Sequence, residues 1–223
     1  MEKDYSIEYT NKFLNLYKKL EQLETDEPKK YAFLFSKYKS QLDLFRHIRN
    51  DLSHNIINDK YPIIISNDVY SSLNRMLNLV KKKAIDYCTK KKDIIFVNLN
   101  SSLKETLKFL SVNNFSHLPI INEKGKVMGV VSNSSMIDII YKNQNDSKLL
   151  EKIVGDFLSE FNLNNEEEFY MFVSQDTFMY ELNELLNKRN NKKLGAIFIT
   201  ANGKQDETIV GLVRSWDIIR SLN

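Results

Sequence analysis

Met128-Gly-Val-Val-Ser-Asn-Ser-Ser-Met-Ile-Asp138 and Val210-Gly-Leu-Val-Arg-Ser-Trp-Asp-Ile-Ile-Arg220 are two copies of one pattern. Gly129 aligns with Gly211 and Ser135 with Asp217, 82 residues apart in each case. Each copy follows an apolar run and a polar turn, and each leads into a short helix-like segment. A repeat at fixed spacing outranks local propensity, and it makes the C-terminal part a pair of α/β modules.

Working outward, both modules have the order β-α-β-β-α. In the first, Ile94-Ile-Phe-Val97 is an apolar run long enough for a buried strand. Ser102-Leu-Lys-Glu105 has capping-box spacing and opens a helix to about Leu110. His117–Ile121 and Val127–Ser132 are strands around the turn Glu123–Lys126, where Gly125 tolerates positive φ. Met136–Tyr141 is a short helix. Residues 142–164 form a polar connector with one helical patch, Leu149–Phe161. In the second module Tyr170–Val173, Ala196–Thr200 and Ile209–Val213 are strands, Thr177–Leu186 is a helix, and Trp216–Leu222 is the closing helix.

This arrangement, over roughly residues 91–223, resembles the cystathionine-β-synthase (CBS) domain pair, a regulatory module. The resemblance implies that the Gly-hydrophobic-hydrophobic-Ser/Thr-x-x-Asp run contacts the ribose of a bound adenine nucleotide (AMP, ADP or ATP) as a regulatory ligand. No cofactor and no metal are required. A carboxylate at the start of the helix accepts from ribose hydroxyls, and the helix N–H groups favour phosphate. The candidate binding residues are Ser132 and Ser135 in the first copy and Arg214 and Asp217 in the second. Each copy departs from the family pattern at one position: Ser135 stands where the family has Asp, and Arg214 where it has Ser or Thr. Arg214 has two partners to choose from, a phosphate or Asp217 itself. Ser135 and Asp217 are equally suited to capping their own helices. His117-Leu-Pro119 resembles the family segment whose backbone lines the cleft, and packing alone also accounts for His117.

Size and charge set the bounds on the rest. The 223 residues fit two or three small domains, and 42% hydrophobic content with 13 Phe and 11 Tyr supplies their cores. Cys88 is the sole cysteine, which excludes an internal disulfide and fits a reducing compartment. The N-terminus lacks a signal-peptide apolar region and no run approaches membrane-spanning length, so the expectation is a cytoplasmic protein without membrane contact. Residues 1–92 hold 18 Lys and Arg against 12 Asp and Glu, whereas residues 93–223 hold 14 against 17. A basic first half permits RNA contact, and solvated lysine-rich helices account for it equally well.

That first half is helical. Phe13, Leu16, Tyr17, Leu20 and Leu23 make one apolar stripe over residues 6–24, and Pro28 starts a long second helix over residues 29–53. A third helix is expected from Asp68 to Cys88, capped by Asn67 or Asp68. The second helix ends in Arg49-Asn-Asp-Leu-Ser-His54. Here the sequence resembles the HEPN superfamily of helical toxin and ribonuclease domains, over residues 6–88, through its Arg-polar-x-x-x-His motif. The resemblance implies Arg49, Asn50 and His54 as the catalytic set of a metal-independent endoribonuclease. Histidine would move the proton and the arginine fork would meet the phosphate. On an ideal helix Arg49 and His54 lie about 140° apart, so they converge only if the helix stops near Ser53 or if the second chain of a homodimer contributes.

The expected fold class is α+β multidomain, an all-α helical N-terminal domain followed by two tandem β-α-β-β-α CBS modules. The expected boundaries are 1–90, 91–143, a connector at 144–164, and 165–223. The expected function is a nucleotide-sensing CBS pair that regulates a HEPN-like endoribonuclease. The alternative is a non-enzymatic adenine-nucleotide-binding regulator or scaffold whose helical domain dimerises or docks on a partner.

Overall fold

The computed structural model describes residues 7–54, 60–164, 168–187, 192–214 and 217. They form two compact units that divide between Lys82 and Lys83.

In the first unit, α1 (Ile7–Asp26) packs against α2 (Pro28–His54) and α3 (Asn67–Leu79). Phe13, Tyr17 and Leu20 of α1, Leu34, Leu42, Phe45 and Leu52 of α2, and Leu73 and Leu77 of α3 are all buried, and the Phe13 ring meets Phe45 edge-on. The long second helix has a kink at Tyr38 (φ −130°, ψ 27°). Apolar periodicity alone does not show it, because the stripe resumes in phase beyond the break. Thr10, fully buried on α1, accepts from the Ile65 backbone N–H at 3.1 Å and pins the segment before α3. Ser66, not Asn67 or Asp68, caps α3 through the Val69 N–H.

The expected third helix does not continue to Cys88. It ends at Leu79, and α4 (Ala84–Tyr87) is a separate turn in the second unit. Val80 and three successive lysines, Lys81–Lys83, separate the two. Ala84 is fully buried and its N–H donates to the Thr177 carbonyl, a tertiary partner that outweighs helix continuation.

The second unit holds two sheets. Strands β2 (His117–Ile121) and β3 (Val127–Ser132) are an antiparallel pair, with α5 (Leu103–Asn113) and α6 (Asn133–Lys142) covering one face. The expected capping box at Ser102 is half present: its side chain accepts from the Glu105 N–H at 3.1 Å. The run Ile94–Val97 is not a strand. It touches β2 through a single parallel bridge, Val97 to Ile120, while Ile95 and Phe96 stay exposed. The helical patch expected in the connector is two short 3-10 turns, Leu149–Glu151 and Val154–Phe157.

The other sheet has the order β1 (Thr89–Lys90), β6 (Gly211–Val213), β5 (Lys193–Thr200), β4 (Glu168–Ser174), with α7 (Met179–Asn187) on the β4–β5 crossover. The pair β4–β5 is parallel and the others antiparallel. Thr89-Lys90, expected as a basic link, is therefore the edge strand of the second copy's sheet. Side chains alternate along β5. Ile197 and Ile199 face α7, whereas Ala196 and Phe198 face Val127 and Val130 of the other sheet. The two sheets thus pack face to face through Ile121, Val127, Val130, Tyr170, Ala196, Phe198 and Ile209.

The repeat glycines stand where backbone approach leaves no room for a side chain. A β-carbon at Gly129 would run into the Phe161 carbonyl oxygen, which accepts from the Val130 N–H at 2.9 Å. A β-carbon at Gly211 would lie 2.5 Å from the Cys88 sulfur. A polar contact also joins the copies. His117 Nε2 meets Glu168 Oε2 at 3.1 Å, and the Tyr170 hydroxyl donates to the same oxygen at 2.8 Å. Burial first, then that bond to Glu168, hold the Tyr170 phenol well above the ordinary tyrosine range.

Two outcomes test this packing. Gly129→Ala should lower unfolding free energy by about 1–3 kcal/mol in urea titration, the usual cost of overpacking; an unchanged midpoint would contradict the close approach. Because the folded state holds the Tyr170 proton more tightly, its contribution is whole below about pH 10 and is lost as pH rises above it. Wild type should therefore lose more stability than Tyr170→Phe between pH 8 and pH 11. Equal losses would show that Tyr170 titrates normally.

Candidate functional site

Both repeat copies end a strand in a tight turn into a helix, and in both the fourth residue of the turn folds back onto the first. In the first copy Ser132 is the N-cap of α6. Its hydroxyl accepts from the Ser135 N–H at 3.1 Å, and the Ser135 hydroxyl accepts from the Ser132 N–H at 2.9 Å. Ser135 then donates to the Ser132 carbonyl at 2.9 Å. Ser132 is 2% exposed and Ser135 9%. This is a reciprocal capping box with its hydroxyls consumed internally.

In the second copy the Arg214 N–H donates to Asp217 Oδ2 at 2.9 Å, and Arg214 Nε lies 3.4 Å from the same oxygen. The Asp217 N–H donates to the Arg214 carbonyl at 3.0 Å. Arg214 thus meets one of its two expected partners, its own Asp217. The geometry repeats the first turn, but the chemistry differs. One carboxylate oxygen carries both bonds, and no described residue donates to Oδ1. The Arg214 side chain is 54% exposed and that of Asp217 13%. The capping and binding roles of Asp217 are compatible, since each uses a different oxygen.

A cleft of about 280 Å³ opens beside this turn between the two sheets. Ser116, His117 and Val130 line it from the first copy, and Ala196, Leu212 and Arg214 from the second. The walls are apolar strand faces, and the Arg214 turn supplies the charge. Both ring nitrogens of His117 are engaged, Nδ1 with Ser116 Oγ at 2.8 Å and Nε2 with Glu168. His117 is thus a fixed wall with its polar atoms turned to protein. Ser116 and Leu212 are lining residues that the repeat pattern alone does not single out; they become neighbours only when the sheets stack.

In the helical unit, Arg49 is held from α1. Its guanidinium meets Glu21 at 3.1 Å, lies 6.0 Å from the Tyr17 ring centroid, and donates to Asn50 Oδ1 at 3.3 Å. Asn50 and His54 are exposed, and α2 continues through His54. Among the described residues no hydrogen bond or ion pair joins Arg49 to His54. Arg49 and His54 both lie within α2, five residues apart on the helix.

No described helix is long and apolar enough to cross a membrane. Residues 84–142 match the CBS domain family. Over 121 residues, 54% of this chain, the sequence is 26% identical to the A-adding tRNA nucleotidyltransferase of Aquifex aeolicus, and that stretch is 12% of the enzyme's length. The solved structure of CbpB in complex with c-di-AMP covers 67% of this chain and 90% of its own, at 12% identity and a TM-score of 0.50. CBSX2 in complex with AMP covers 63% and 96%, at 20% identity and a TM-score of 0.46. At these identities the likeness is one of fold. The second unit therefore carries a CBS domain at residues 84–142 within a mixed α/β, CBS-pair-like fold, preceded by a helical unit.

Proposed function

We propose that this chain is a regulatory nucleotide-binding protein whose second repeat copy holds one adenine nucleotide. The observation that carries the reading is the Arg214–Asp217 turn, whose Arg214 lines the inter-sheet cleft. Asp217 offers a carboxylate oxygen to ribose hydroxyls, and Arg214 offers an exposed guanidinium to phosphate. The apolar strand faces accept the base. The first copy takes no ribose, because Ser132 and Ser135 satisfy each other and are buried. One nucleotide per chain follows, rather than two. The ligand would regulate the helical unit by binding two states of the protein with different affinity.

For the helical unit the better supported role is a non-enzymatic one, dimerisation or docking on a partner. Arg49 is paired with Glu21 and lies 6.0 Å from the Tyr17 ring centroid, which suits a structural arginine. The ribonuclease reading rests on the exposure of Asn50 and His54 on the last turn of α2. It requires that a second copy of the chain supply His54 to Arg49.

Calorimetric titration with AMP, ADP, ATP and c-di-AMP tests the nucleotide site. One equivalent of at least one compound should bind. Asp217→Asn retains the capping acceptor but removes the charge, so it should weaken binding by about tenfold or more while leaving the melting temperature close to wild type. Unaltered affinity in that variant, or no binding of any of the four, would refute the assignment. Incubation with a mixed RNA pool decides between the two roles of the helical unit: cleavage that vanishes in His54→Ala selects the ribonuclease, and intact RNA under all nucleotide conditions selects the non-enzymatic one.

A further inference from the structure

A second cleft, of about 880 Å³, lies at the opposite strand ends from the Arg214–Asp217 turn. Both β3 and β6 run away from it toward the repeat turns. It is built where three segments meet, and backbone bonds fix all three. The Ile209 N–H donates to the Gly125 carbonyl at 2.9 Å, the Thr208 hydroxyl to the Lys124 carbonyl at 2.9 Å, and the Lys91 N–H to the Val210 carbonyl at 3.2 Å. Gly125, at φ +75°, makes the turn on which this depends.

The floor is apolar: Ile94 and Ile209 are buried there, and beside them the Phe96 ring is 46% exposed. Exposing a phenyl ring in a concave, preformed site is costly unless something covers it. Lys91 and Lys124 stand on the rim, and neither ammonium meets a carboxylate among the described residues. Glu123 shares the rim and leaves the positive charge in excess. The volume falls within the roughly 300–1,000 Å³ typical of small-molecule sites.

We infer that this cleft is a second ligand site, which takes a small molecule with a planar aromatic body and an anionic group. The aromatic body stacks on Phe96 over the isoleucine floor, and the anion meets Lys91 and Lys124. A single exposed ring, rather than a row of them, favours a small molecule over a nucleic-acid strand. The site is independent of the nucleotide proposed for the Arg214–Asp217 turn.

The test uses the full chain and two fluorescent probes that differ in ring and anion, flavin mononucleotide and 1-anilinonaphthalene-8-sulfonate. At least one should bind saturably with one equivalent, more weakly as salt rises. Phe96→Ala should weaken that binding by about tenfold, and so should the double variant Lys91→Gln/Lys124→Gln. All three positions are exposed, so circular dichroism should report an unchanged fold. Asp217→Asn should leave probe affinity unaltered, which separates this site from the nucleotide turn. Absence of saturable binding by both probes would overturn the inference. So would affinity that survives Phe96→Ala and the lysine pair, loss of probe binding on Asp217→Asn, or binding of oligonucleotides alone.

Discussion

The face-to-face contact of the two sheets is the constraint on which the second unit depends. Val127 and Val130 on one side and Ala196 and Phe198 on the other make a layer in which every member is under a tenth exposed. Neither sheet is large enough to bury its inner face alone, and the first is only a two-stranded hairpin, which is marginal in water. Stacking solves both problems at once. It also places Ser116 and Leu212 at one cleft. The edge strand Thr89-Lys90 reinforces the arrangement, since it pairs with β6 before the chain turns into the first copy.

Two turns with nearly one backbone geometry therefore differ in what they can bind. A serine at the fourth position is short enough to close on its own turn with both donor and acceptor used. An aspartate has two oxygens and needs only one for the cap. The asymmetry between the copies is a matter of hydrogen-bond capacity, and it converts a duplicated fold into a single candidate site.

In the helical unit Arg49 has protein partners of its own. Arg49 falls at the right spacing for chemistry, yet α1 brings Glu21 and Tyr17 to it. A guanidinium already paired with a carboxylate has fewer donors left for a phosphate.

Much of this was written in the sequence. The 82-residue repeat set the two copies and the positions where they diverge, because short-range patterns dictate where the chain turns. The stripe of Phe13, Tyr17 and Leu20 marked the helical unit in the same way. The tertiary structure decided what depends on distant partners. The break after Leu79 follows from Ala84 finding the Thr177 carbonyl, and the reduction of Ile94–Val97 to one bridge follows from its placement at the edge of β2. The contact of Arg214 with Asp217, and of Arg49 with Glu21, was open in the sequence, which fixes what each side chain can do but not which one stands beside it.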